Sequence, residues 1–133
     1  MNQKDKELLL KDLCARLPYG VKCNVGEEMP YTLSRIEVDN LNGHLLDFIE
    51  MKDGLDMQVY LSEVKPYLLP LSSMTEEQRK EYYNLCSIGI DECGDIIYFD
   101  TYESIDYLNK NHFDYRGLIP MGLAINATNL NIY

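Results

Sequence analysis

Two kinds of side chain in this sequence suit chemistry near neutral pH: four cysteines, Cys14, Cys23, Cys86 and Cys93, and two histidines, His44 and His112. Structural zinc needs ligands in close pairs, so that one turn presents two of them. No Cys-x-x-Cys pair occurs, and neither histidine has a second one at helical spacing. The cysteines read instead as small hydrophobes, and no metal or other cofactor is expected. Cys93 and His112 make a conceivable nucleophile and base, because a thiolate needs a base or a helix N-terminus to lower its pKa. No flanking signature supports that pair, so no catalytic residue is assigned and the chain reads as a non-enzyme. The eight glycines form neither Gly-x-x-x-x-Gly-Lys nor Gly-x-Gly-x-x-Gly, so neither phosphate-binding loop is present. Paired carboxylates abound only because acids abound.

The densest local cluster is His112-Phe113-Asp114-Tyr115-Arg116-Gly117. It puts a titratable ring, two aromatics, an acid and a guanidinium into one loop. Aromatic and arginine side chains dominate binding hot spots, which makes His112, Phe113, Tyr115 and Arg116 candidate binding residues. The competing reading is internal: Phe113 and Tyr115 plug the core while Asp114 or another acid pairs with Arg116. In an acidic protein the internal reading carries more weight.

Acidity is the strongest compositional signal. There are 22 acidic and 12 basic residues, for a formal net charge of −10. Such a chain repels phosphate, so nucleic acid is excluded as a partner, and so is an anionic membrane surface. Between Lys80 and Lys110 lie Glu81, Asp91, Glu92, Asp95, Asp100, Glu103 and Asp106 with no base at all. Tyr82, Tyr83, Tyr98, Tyr102 and Tyr107 interleave with them. Tyrosine offers large rigid area with a polar tip, which suits wet interfaces. Asp95, Tyr102, Glu103 and Asp106 are therefore the candidate contacts to a basic protein surface. The plainer alternative is that acidity only maintains solubility.

These residues need a scaffold, and 133 residues with 46 % apolar content are enough for one. The expectation is one compact domain over 1–133, α+β in class, with a helix-plus-meander half (1–71) and an α/β half (72–133). Leu9, Leu10, Leu13 and Leu17 predict a helix over 3–17, stopped by Pro18-Tyr19-Gly20. Strands are expected at 21–25, 31–39, 44–51 and 57–62, with Asn42-Gly43 and Asp53-Gly54 as turns. Their spacing predicts a small curled antiparallel meander of SH3-like barrel type. Tyr31 and Leu33 share one phase, while Ile36 and Val38 take the other. A period of two cannot do that without an extra residue, so a bulge is predicted near Ser34-Arg35. The third strand is apolar on both sides and is expected to be central under the first helix.

Pro66 and Pro70 predict a buried extended connector over 64–71 rather than a central strand. Ser73-Met74-Thr75-Glu76 reads as a capping box for a helix over 75–85. Residues 88–90 and 96–99 predict a hairpin across Glu92-Cys93-Gly94. Asp100-Thr101-Tyr102-Glu103 reads as a second cap, for a helix to Lys110 with Ile105 and Leu108 inward. Residues 118–125 are a strand or buried extended segment, and 126–133 an Asn-rich fraying tail. No run approaches the roughly 18 to 20 apolar residues that span a bilayer, and Leu8-Leu9-Leu10 meets Lys11-Asp12 at once. Cytoplasmic residence and reduced thiols are the expectation.

Three segments carry a resemblance: Lys11-Asp12-Leu13-Cys14-Ala15-Arg16-Leu17-Pro18-Tyr19-Gly20, then Val64-Lys65-Pro66-Tyr67-Leu68-Leu69-Pro70-Leu71-Ser72-Ser73-Met74-Thr75, and His112-Phe113-Asp114-Tyr115-Arg116-Gly117-Leu118-Ile119-Pro120. In these the chain resembles a family of small uncharacterised proteins of phages, prophages and mobile elements of gut anaerobic bacteria. Residues 21–62 depart from the family's pattern. The resemblance implies a genomic setting and an accessory role such as binding a host protein, and brings no functional residues with it. The expected function is non-catalytic binding of a basic host or phage protein. The alternatives are a homo-oligomeric or virion-associated module, using a sheet edge or residues 118–125, and a small enzyme using Cys93 or His112.

Overall fold

The computed structural model describes residues 2–26, 29–37, 45–49 and 56–133. The first helix, α1 (Gln3–Arg16), starts at Asn2, whose side-chain oxygen accepts from the Asp5 N–H at 2.8 Å. That satisfies one of the orphan donors of the first turn. A short 3₁₀ turn, Leu17–Tyr19, follows, and Gly20 closes it at φ 67°, a left-handed conformation that glycine adopts without Cβ strain. The inward face of α1 is narrower and more polar than its leucine spacing suggests. Leu9 and Leu13 are fully buried, but so are Asp12 and Arg16.

Four strands then run as a meander: β1 (Lys22–Asn24), β2 (Tyr31–Ile36), β3 (Leu45–Ile49) and β4 (Asp56–Tyr60). Each pairs antiparallel with the next. The predicted bulge is present: Leu33 faces Phe48 and Arg35 faces Asp47, so two residues of β2 oppose one of β3. Tyr31 and Leu33 are buried ahead of the bulge, and Ser34 and Arg35 turn out to water. The expected Asn42-Gly43 and Asp53-Gly54 turns, Val38 and His44 lie outside the described residues.

The expected SH3-like closure is corrected by the sheet order. The strands run β4-β3-β2-β1-β5-β8, with β5 being Lys65–Pro70 and β8 Phe113–Asp114. A further strand, β9 (Ile125–Asn126), also pairs with β5. Among the described residues the two ends of this sheet do not meet. β5 pairs with β1, and the C-terminal strands lie beside β5, so the β1 side of the meander is paired without its curling onto itself, while β4 ends the sheet on the other side. The third strand sits one place in from the β4 end. The core beneath α1 forms instead around Val21, Cys23, Leu33, Val64, Leu68 and Leu118.

The segment read as a connector is likewise a strand inside the sheet. β5 runs antiparallel to β1 at Lys65 and Pro66, and parallel to β9 at Tyr67 and Leu68 and to β8 at Leu69 and Pro70. No neighbour needs more than two residues of it, so two missing proline donors break little. The remaining ladder bonds come from elsewhere, as in the 2.8 Å bonds from Leu69 N–H to His112 O and from Ala127 N–H to Leu68 O.

Past β5 the chain builds α2 (Glu76–Leu85), the hairpin β6 (Ser87–Ile90) and β7 (Ile96–Phe99), and α3 (Tyr102–Lys110). Both helices carry capping boxes, each later than the sequence pattern placed it. Thr75 with Gln78 caps α2, while Ser73 donates to Pro70 O. Thr101 with Ser104 caps α3. The competing serine and aspartate are spent on other partners. Residues 118–124 form turns rather than a strand, yet Leu118, Leu123 and Ala124 are core residues. The tail does not fray. The Tyr133 ring stacks on His112 at 3.7 Å, and its hydroxyl donates to Tyr67 O at 2.9 Å and accepts from Lys22 N–H at 2.8 Å. No helix among the described residues is long and apolar enough to cross a membrane.

Candidate interaction surface

The hairpin β6–β7 is a separate two-stranded sheet. Its turn is fixed by Asp91, whose carboxylate accepts from the N–H groups of Cys93 and Asp95 at 2.9 and 2.8 Å. Gly94 supplies the φ of 85° the turn requires. Register pairs Ile88 with Tyr98 and Ile90 with Ile96, so these four side chains share one face. That face is open to solvent: Ile88 is 67 % exposed, Ile90 73 % and Ile96 64 %. Phe99, in the other phase, is also exposed. No residue from 69 to 103 is buried. A whole helix and hairpin therefore stand without a core of their own. An isolated hairpin is marginal in water, and α2 offers few apolar side chains to shield it.

What links this unit to the body is a run of tyrosines and α3. Tyr107, Tyr82, Tyr83 and Tyr98 approach one another in series, with ring centroids 6.5, 5.4 and 4.6 Å apart. Tyr82 donates to Asp100 at 2.5 Å, and Tyr107 donates to Glu81 at 2.9 Å. Burial raises both phenols, and bonding to carboxylates raises them further, Tyr107 to about 12. These hydroxyls stay protonated donors. On α3, Ser104, Leu108 and Asn109 face inward.

The sequence-derived contacts divide between two places. Asp95, Tyr102, Glu103 and Asp106 are all exposed on the hairpin-and-α3 unit. Tyr102 is 92 % exposed and helps line an open depression of about 560 Å³ with Asp100, Thr101, Glu103 and Ile105. The loop residues lie elsewhere, against the main sheet. Phe113 is 1 % exposed and His112 is buried. His112 adopts φ 63°, uncommon for a residue other than glycine, and its ring stacks on Tyr133. Desolvation, with Arg16 and Lys22 nearby, pushes its pKa down to about 4. It is a neutral interior ring.

Around it runs a buried ionic cluster. Arg16 Nε donates to Asp12 Oδ2 at 2.9 Å, with both side chains fully buried. Arg16 Nη2 reaches across the chain to Phe113 O at 2.6 Å. Arg116 Nε lies 3.7 Å from Asp12 Oδ1, and its guanidinium sits over the Tyr115 ring at 4.6 Å. Tyr115 in turn donates to Asn109. Asp114 accepts from the N–H groups of Leu118 and Ile119, both at 2.9 Å. Burial raises the Asp12 pKa, and Arg16 and Arg116 oppose that rise. The cluster thus joins α1, α3 and the 112–117 loop, and it turns that loop inward.

Cys93 is exposed at the hairpin turn, while His112 is interior beside Tyr133. Cys23 is buried, and desolvation raises its pKa; all four cysteines are free thiols. Among the described residues no three His, Cys, Asp or Glu side chains group as metal ligands. Compared with known protein families, curated proteins and solved structures, the chain matches none.

Two features escaped sequence reasoning. The Asp12–Arg16 pair had a signal, its i,i+4 spacing in phase with Leu9 and Leu13. The exposed isoleucines also had one. The hairpin is apolar on both faces, while α2, read as Glu-Glu-Gln-Arg-Lys-Glu-Tyr-Tyr-Asn-Leu, has no stripe able to cover either.

Proposed function

We propose that this chain is a non-catalytic accessory protein, phage- or prophage-encoded and cytoplasmic, that binds a basic protein surface through its α2–β6–β7–α3 unit. One observation carries the reading: an ordered hairpin leaves its isoleucines in water inside a stretch holding seven acids and no base. Exposed apolar patches with polar rims mark interaction sites. From Glu81 to Asp106 every charged side chain around this face is an acid, although α2 carries Arg79 and Lys80 ahead of it; that balance favours a cationic partner over a second copy of the same acidic unit. Tyr102 and Tyr98 add rigid aromatic area.

Capture from bacterial lysate tests this. The retained protein should be basic and should be released as salt rises. Glu103→Lys with Asp106→Lys should abolish capture while leaving the melting temperature in place, since both side chains are exposed. Undiminished capture by that variant rejects the reading. The oligomeric alternative rests on the same exposed hairpin, because Leu118, Leu123 and Ala124 are taken up by the core. A strict monomer by light scattering at high concentration disposes of it.

A further inference from the structure

The hairpin also indicates how a partner attaches. The Asp91 N–H donates to Asp95 O at 2.9 Å, so this pair faces inward across the ladder. Antiparallel pairs alternate. Ile90 with Ile96, and Ile88 with Tyr98, therefore turn their backbone N–H and C=O groups away from the hairpin, while Ile97 and Phe99 hold it together. The two outer edges have no further strand beside them among the described residues. Such an edge is a template for another strand. The β7 edge is bracketed by Asp95 and Asp100, with Glu103 just beyond. Natural edges are guarded by lysine, proline or a covering helix, and β7 holds neither lysine nor proline.

We propose that the outer edge of β7 accepts an extended, basic segment of a partner protein as a third strand. This deepens the preceding reading and rests on it. Backbone bonds would run to Ile96 and Tyr98. Alternate apolar side chains of the incoming strand would lie beside Ile96 and Tyr98 and extend the apolar face they share with Ile88 and Ile90, and the intervening lysines or arginines would lie in the phase of Asp95. A second copy is the disfavoured occupant, because edge-to-edge pairing would bring two sets of these carboxylates together.

The probe is a synthetic peptide in which valine alternates with lysine and arginine, titrated into the full chain by fluorescence anisotropy and by amide exchange in NMR. We expect binding that weakens by about an order of magnitude as salt is raised from low to several times physiological strength. We also expect slowed exchange at Ile96 and Tyr98 in particular. Ile96→Pro removes one outward donor and leaves the inward ladder intact, since proline is tolerated at the start of an edge strand. It should lower affinity at least tenfold without changing the Ile97 and Phe99 amide signals of the ladder. Peptide binding that is indifferent to Ile96→Pro, or that leaves the Ile96 and Tyr98 amides of the unsubstituted chain unprotected, overturns strand addition. So does failure to bind the peptide by a chain that still captures a folded basic protein, which leaves the preceding reading standing. Concentration-dependent protection of the Ile96 and Tyr98 amides without peptide assigns the edge to a second copy and also overturns it.

Discussion

Loss of Arg16 would strand a fully buried carboxylate. Replacing Arg16 by methionine keeps the length and apolar stem but removes the 2.9 Å hydrogen bond to buried Asp12, the only side-chain hydrogen bond of that carboxylate among the described residues, and the 2.6 Å bond to Phe113 O. Asp12 would then face only Arg116, 3.7 Å away and itself partly solvated. Breaking one side of a buried pair costs about 3 to 5 kcal/mol, because the surviving charge stays desolvated. Arg116 places the expected loss near the lower figure, about 3 kcal/mol. Unfolding entropy of about 2.1 cal/mol/K per residue, over 133 residues, gives about 0.28 kcal/mol/K. The melting temperature should therefore fall by about 11 °C, read by circular dichroism. A second substitution, Asp12→Leu, removes the stranded carboxylate, so the double variant should melt above Arg16→Met alone. Acid should narrow the defect. Without Arg16, desolvation holds the folded Asp12 pKa above its unfolded value, a penalty that grows as pH rises through the unfolded pKa and lessens as pH falls. A loss below about 1 kcal/mol, or a double variant worse than both single variants, would refute the assignment of this pair as the joint between α1 and the loop.

Three further outcomes are expected. The folded pKa of His112 lies near 4 against 6.5 unfolded, so the unfolded chain binds more protons between those values and stability should drop as pH falls through that window. After discounting for its partial solvent contact the difference should be on the order of 2 kcal/mol, and urea titrations of His112→Asn, a residue that tolerates positive φ, should lack that component. Tyr133→Phe keeps the stack on His112 but leaves Tyr67 O and Lys22 N–H without their hydroxyl partner; a loss of about 1 to 2 kcal/mol in thermal unfolding is expected. Ile88→Lys with Ile96→Lys should change global stability by less than about 0.5 kcal/mol per site, because neither side chain is in a core. A large drop in melting temperature would show the hairpin to be packed after all.

Local patterns in the chain were enough to place most elements. Leucine spacing gives α1, turn dipeptides and alternation give the hairpin, and the phase switch after Leu33 gives the bulge, because each depends on neighbours within a few residues. The caps of α2 and α3 were displaced because Ser73 and Asp100 had other partners, at Pro70, Tyr82 and Ser104. The acidic residues of the candidate surface were visible as a base-free run, since charge is a property of composition.

What lay beyond the sequence required distant pieces of chain to meet. Pro66 and Pro70 argue locally against a strand, yet β5 lies inside the sheet because three short strands from both ends of the chain each use two of its residues. The 112–117 loop is aromatic and charged by sequence. Only its encounter with Arg16, 97 residues away, turns it inward. Burial is likewise a tertiary property: Ile88 in water and Leu68 in the core are each apolar and extended, and what separates them is the neighbour each finds. Sequence set the periodicities and the charge; packing alone decided which apolar residues found cover and which were left facing solvent.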